Sequence, residues 1–298
     1  MRIELPVTPP YRLDLTADAL RRLAANVVDI VDGEGAYYRY FDTGKHRSLV
    51  RVTQSGERTL HVEATSANDA WVVPIVARML GADVDLRSWY ARSAKIPWLA
   101  YLARELRGLK PPRYPSLWEA CAHAIVFQQI SIHAAASIMR RMVEQFGRPA
   151  PDFPAIAFPT PQALLAAPVD ALRAAGLSAN KVSHLRSAAE AVSGETVREE
   201  LIDALSTAEA AERLIEIRGI GRWSAAVILL RGFGRLDAFP MNDSGVARTV
   251  KLLSGEASPD LDGVLAILGP TRGMLYYHLL LGRIRNLNPA VADSKVLP

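Results

Sequence analysis

The chain has one cysteine, Cys121, in 298 residues. That excludes an internal disulfide framework and any cluster held by several thiolates. It fits a reducing compartment, so a cytoplasmic protein, nucleoid-associated in use, is expected. Aromatic residues make up only 7% and no apolar run reaches the length of a membrane span, so no membrane contact is expected. The first residues, Met1 to Pro6, lack the apolar core of a secretory signal. Charge of one sign is also scarce. The net charge is +4, with 13 basic against 12 acidic residues up to position 95 and 22 against 19 beyond it. A nucleic-acid footprint must then come from local arrangement, not from bulk charge. Glycine-rich nucleotide loops and Ser-His-Asp sets are missing. His123 and His133 lack the spacing and partners of a metal site and read as core or surface residues.

Two patterns divide what is present. Over residues 1–95, short segments rich in aromatic or β-branched residues (37–41, 49–53, 60–63) alternate with turn signals at Gly44 and Ser55-Gly56. Helical spacing runs over 16–30, with Leu20, Leu23, Val27 and Ile30 on one face, and over 68–80, where Pro74 could kink or shorten the helix. From residue 96 the pattern is helical. Residues 96–106 form a first helix and 110–115 an extended proline-rich linker. Ser116 and Glu119 have the form of a capping box, Ser131 caps the next helix, and Gly147 suits its C-terminal end. Cys121 falls in an apolar helix and reads as a buried thiol. Further helices follow near 161–167, 168–175 and 180–192, and Ser206 with Glu209 forms a second capping box. The expected class is α+β: a small antiparallel sheet with covering helices (1–95), then an all-α core (96–298).

The most informative segment is Leu214-Ile215-Glu216-Ile217-Arg218-Gly219-Ile220-Gly221-Arg222-Trp223-Ser224-Ala225. It reads as a helix, a tight Gly-Ile-Gly turn and a second helix. Glycines let a phosphate approach main-chain N–H groups, and the second helix offers its N-terminus to the anion. Such contacts position nucleic acid without reading its sequence. Arg218, Arg222 and Ser224 flank the turn. Its carbonyls could hold a monovalent cation beside the phosphate. Glycine is also common in plain αα-hairpins, so Gly-x-Gly alone decides little. Asp243 lies twenty residues past Trp223 and precedes a helical stretch at 244–253, so its simplest role is an N-cap.

With these motifs the chain resembles the helix-hairpin-helix DNA glycosylases, and within them the DNA-3-methyladenine glycosylase II (AlkA-like) group. Pro111-Pro112-Arg113, Ala124 to Ser131, Phe158-Pro159-Thr160-Pro161, Gly176-Leu177-Ser178, the hairpin and Asp243 carry the resemblance. It implies two helical subdomains with the active-site cleft between them. It also implies a monomer that flips a damaged base out of duplex DNA. Asp243 becomes the catalytic carboxylate, stabilising the positive charge that builds on the sugar. Gly219, Ile220 and Gly221 anchor a phosphate, and Gln129, in a break between helices, fills the hole left by the base. A Gln128-Gln129 pair that merely caps helix ends is the competing reading. Relatives that also cut the strand carry a Lys where this chain has Trp223, so no amine is placed for a Schiff base. The implied reaction is hydrolysis of alkylated purines, with no cofactor required. Trp223 either stacks on an electron-poor base or packs in the core. Rival readings are the same chemistry on hypoxanthine, uracil or an etheno base, and a non-catalytic binder of damaged DNA.

The chain departs from the group's pattern in places. Asn242 stands where an acid is frequent beside the catalytic position. Val227 and Leu280 occupy places held by aromatics in some relatives, and Pro270-Thr271-Arg272-Gly273 ends in Gly for Ser. Val227, Tyr276 and Leu280 are then the expected pocket residues beside Trp223. Tyr277 and His278 could add to them but more simply pack on a helix face.

Overall fold

The computed structural model describes residues 1–65 and 67–287. Its N-terminal part is a sheet of order β1-β5-β4-β3-β2, antiparallel throughout, built from β1 (Arg2–Pro6), β2 (Asp29–Val31), β3 (Tyr37–Asp42), β4 (Arg47–Ser55) and β5 (Thr59–Ala64). The period-two alternation buries Ser48, Val50 and Val52 on β4 and Leu60, Val62 and Ala64 on β5. The apolar ones share one core with the buried faces of α1 (Leu13–Arg21) and α2 (Val72–Met79). Leu49–Thr53 and the other two expected strands are present, flanked by positive-φ turns at Gly44 and Gly56.

Two expectations here fail for local reasons. The helix expected over 16–30 stops at Arg21, because Arg22 takes φ 63° and ψ −56°. Of the apolar residues that completed its period, Leu23 and Val27 lie on the approach to β2 and Ile30 within it. Strands β1 and β2, of five and three residues, were not read from the sequence. Pro74 causes no kink, since it sits in the first turn of α2, where its missing N–H is harmless, but the helix expected over 68–80 begins only at Val72, after a 3-10 turn.

The helical part runs α3 (Arg87–Ser93), α4 (Pro97–Glu105), α5 (Leu117–Phe127) and α6 (Ile132–Phe146). A two-residue ribbon follows, β6 (Arg148–Pro149) against β7 (Ile156–Ala157). Then come α7 (Pro161–Ala166), α8 (Val169–Ala174), α9 (Ala179–Ser193), α10 (Glu199–Ala204), α11 (Thr207–Ile215) and α12 (Arg222–Arg231). The last are α13 (Ser244–Ser254), α14 (Leu261–Leu268) and α15 (Gly273–Ile284). Helix α5 packs on α9 and α12, with α7 on α9 and α11 on α12. Helices α3, α4, α13, α14 and α15 form a second group, on which α1 rests. Residues 288–298 of the expected second region lie outside the described residues. No single described helix is long and apolar enough to cross a membrane.

Caps follow the sequence with two differences. Ser206 and Glu209 exchange both bonds of the capping box at the start of α11. Ser116 accepts from Glu119 N at 3.2 Å, but the Glu119 carboxylate does not return the bond. It turns inward to Arg39 Nη2 at 2.6 Å. Gly147 ends α6 with φ −80°, not in the left-handed region. Glycine is needed there for space, since a Cβ would lie 2.5 Å from Ala157 O.

Sheet and helices are joined by buried charge. Arg39 on β3 donates to Asp29 Oδ1 at 2.7 Å and to Glu119 on α5, while Tyr37 Oη also donates to Asp29 at 2.7 Å. Arg231 on α12 donates to Ala19 O at 3.0 Å. A partly exposed pair adds to this, Arg285 reaching Asp18 at 2.5 Å.

Candidate active site

Between the two helical groups lies an open cleft of about 1050 Å³. Asp243 stands in its wall as N-cap of α13. Its Oδ1 accepts from Gly245 N at 2.8 Å and Val246 N at 3.0 Å. Its Oδ2 accepts from Trp223 Nε1 at 3.0 Å. The cap role and a placed carboxylate therefore coexist in one side chain: backbone donors fix one oxygen and the indole fixes the other. Asn242 before it takes φ 60°, which turns the chain sharply into the helix.

Trp223 is half-buried, lines the cleft and holds the acid, a bond the sequence alone does not reveal. Tyr276 and Leu280 line the same cleft. Val227 does not. It is 2% exposed, one turn further along α12 on the face packed into the core, so it is no pocket residue. Tyr277 and His278 are likewise core residues: Tyr277 Oη donates to Pro112 O and Leu230 O, and burial holds His278 down at about 4. Cys121 is buried, which pushes its thiol up to about 12.

The turn between α11 and α12 is closed by Ile217 N donating to Leu214 O (3.1 Å) and Ile220 N to Ile217 O (2.9 Å). Gly219 takes φ 93°, and a Cβ there would lie 2.2 Å from the His184 ring, so glycine is required twice over. Gly221 has extended backbone and open space in front of it. Ile220 is 3% exposed, so only its main chain can meet a ligand. Arg218, Gly221 and Arg222 are exposed, and the last two reach the cleft. No side chain caps α12, unlike Ser131, Ser206 and Asp243 on α6, α11 and α13. That leaves first-turn N–H groups for an anion.

Ser224 is buried, its hydroxyl accepting from Gln128 Nε2 at 2.7 Å, and the same amide donates to Gly219 O at 2.9 Å. Ser224 thus joins the hairpin to Gln128 while also lining the cleft. Gln128 and its neighbours break the chain between α5 and α6, and Lys181 Nζ satisfies the freed carbonyls of Val126 (2.7 Å) and Gln128 (3.0 Å). Gln129 is exposed at φ 56° on the rim of the cleft, followed by the exposed Ile130. Sequence reasoning missed Arg22, Arg248 and Arg283, which also line the cleft. No local motif marks them, because each comes from a different helix or helix end. Among the described residues no group of His, Cys, Asp or Glu has the geometry of a metal site.

Residues 122–264 match the family described as HhH-GPD superfamily base excision DNA repair protein. That stretch of the chain is similar to this superfamily. It is 29% identical over 187 residues to DNA-3-methyladenine glycosylase 2 of Escherichia coli (strain K12), a match covering 61% of this chain and 64% of that one. The whole fold is similar to a 3-methyladenine DNA glycosylase from Archaeoglobus fulgidus (TM-score 0.78, 27% identity, 95% of this chain and 98% of that one). A Schizosaccharomyces pombe 3-methyladenine DNA glycosylase in complex with abasic DNA is similar over 66% of this chain and 97% of its own (TM-score 0.57, 25% identity). The α+β organisation, sheet first and helical core after, is therefore as the sequence suggested.

Proposed function

We propose that the chain is a monofunctional DNA glycosylase that hydrolyses the N-glycosidic bond of alkylated purines in duplex DNA. The observation that carries this reading is the Asp243 carboxylate, held by three N–H donors in the wall of a cleft, beside a hairpin whose second helix begins uncapped. In the proposed complex, the N-terminus of α12 and the Gly219–Gly221 turn grip a backbone phosphate. A monovalent cation on the turn carbonyls would strengthen that grip. Gln129, poised on the rim, fills the stack from which the damaged nucleotide has left. As the bond to the base lengthens, positive charge grows on the sugar, and a carboxylate whose orientation is already fixed stabilises it without reorganising. Water then adds at C1′, the base departs, and an abasic site remains. The position of a strand-cutting lysine is filled by Trp223, whose indole N–H is committed to Asp243, so no amine attacks the sugar.

The deciding experiment is single-turnover release of 3-methyladenine from methylated duplex by wild type and Asp243→Asn. Release by wild type with the strand intact, falling about 10²–10³-fold in the variant, is the expected result. Asn is as good an N-cap as Asp, so the fold should be kept. Equal rates for the two proteins, or strand nicking under mild conditions, would sink the reading.

A further inference from the structure

Arg22 is only 6% exposed, and its Nε is buried with no hydrogen-bond partner among the described residues. A buried donor without a partner is costly, and the acids nearest in the chain are engaged elsewhere: Asp18 with Arg21 and Arg285, Asp29 with Arg39. What Arg22 does meet is the ring of Phe127, with its guanidinium carbon 4.1 Å from the ring centre. Both residues line the cleft that holds Asp243 and Trp223. The backbone makes the placement deliberate. Leu23 N donates to Arg21 O at 2.7 Å around an Arg22 at φ 63° and ψ −56°, a strained γ-turn. The sheet-bearing part of the chain thus delivers a cation to the floor of a cleft otherwise built from the helical core.

We propose that Arg22 is a specificity-determining residue that donates to the acceptor edge of the base held in the cleft, extending the range beyond alkylated purines by raising release of neutral 6-carbonyl purines relative to that of cationic methylated adenine. The inference rests on the glycosylase reading. Its burial behind Phe127 suits a flat ring entering the cleft and not a backbone phosphate, which stays at the surface. A guanidinium offers only donors and a fixed positive charge. Hypoxanthine is neutral and presents O6 and ring nitrogens as acceptors. 3-Methyladenine in DNA carries a positive charge and turns an amino group outward from C6, so both charge and donor pattern oppose it at this wall. Asp243 attracts the sugar cation in either case and does not discriminate.

The test is single-turnover release of hypoxanthine from an inosine-containing duplex and of 3-methyladenine from a methylated one, by wild type, Arg22→Met and Arg22→Lys. Affinities of the same proteins for the inosine duplex and its undamaged counterpart are measured in parallel. Arg22→Met should lower the hypoxanthine-to-methyladenine rate ratio about tenfold or more, as loss of a charged hydrogen bond does, and Arg22→Lys should restore part of it. Rates that fall together at constant ratio, or a ratio that stays at the wild-type value in a folded variant, overturn the role. If wild type releases neither base, the glycosylase reading fails, and binding then decides. A preference for the inosine duplex that vanishes in Arg22→Met supports the assignment, and an undiminished preference overturns it.

Discussion

Two carboxylates sit within the first turn of a helix, one at the join of sheet and helices and one in the cleft, and they are treated in opposite ways. Glu119 is 2% exposed, paired with Arg39 and pushed up to about 7, first by burial, with Asp29 adding repulsion and Arg39 opposing it. Asp243 is half-buried, held only by neutral N–H donors, and open to solvent on the cleft side. A carboxylate matched to a cation has its charge consumed by the fold. One oriented by neutral dipoles keeps its charge for whatever enters the cleft. On the proposed function, the difference separates a structural acid from a reactive one better than burial alone.

Three experiments can break or sharpen that contrast. The largest expected effect is at the join. Arg39→Met leaves Asp29 and Glu119 buried together without a counter-charge, and should cost about 3–5 kcal/mol of unfolding free energy in denaturant titration. An effect below about 1 kcal/mol would mean the cluster is no lock. The next is a pH effect. Because the Glu119 carboxyl is raised above its usual range in the folded chain, its contribution is fully present below the ordinary carboxylate pKa and is lost as pH rises through about 7. Wild type should therefore lose stability relative to Glu119→Gln between about pH 4.5 and 7.5; parallel stability curves would contradict this. The smallest is in the cleft. Trp223→Phe keeps the ring but deletes the N–H donor to Asp243, so base release should fall about tenfold. Unfolding free energy should move by no more than about 1 kcal/mol. A variant that loses stability but keeps its rate would place Trp223 with the core.

Much of this was legible in the residues because it is local. The Ser206 box, the caps at Ser131 and Asp243 and the Gly219 turn depend on neighbours three or four positions away, which sequence displays directly. Val227 was misplaced because the direction of a side chain on a helix buried on most of its surface cannot be read from spacing: nearly every position of α12 past Ser224 is apolar or buried. Glu119 was misread as half of a capping box because its partner, Arg39, lies eighty residues away. Arg22 escaped notice for a related reason. Its role depends on a backbone turn that ends α1 early and on a ring more than a hundred residues further on.

The amide of Gln128 gives the fold a mechanical property. By donating to both Gly219 O and Ser224 Oγ, it clips the rim that carries Gln129 to the hairpin that would hold the phosphate. Probe and grip then move as one rigid part, like the jaws of a fixed gauge. On the proposed function, a duplex is tested against a set distance between strand and stack, and a nucleotide that cannot be drawn out across that distance is turned away before it meets Asp243.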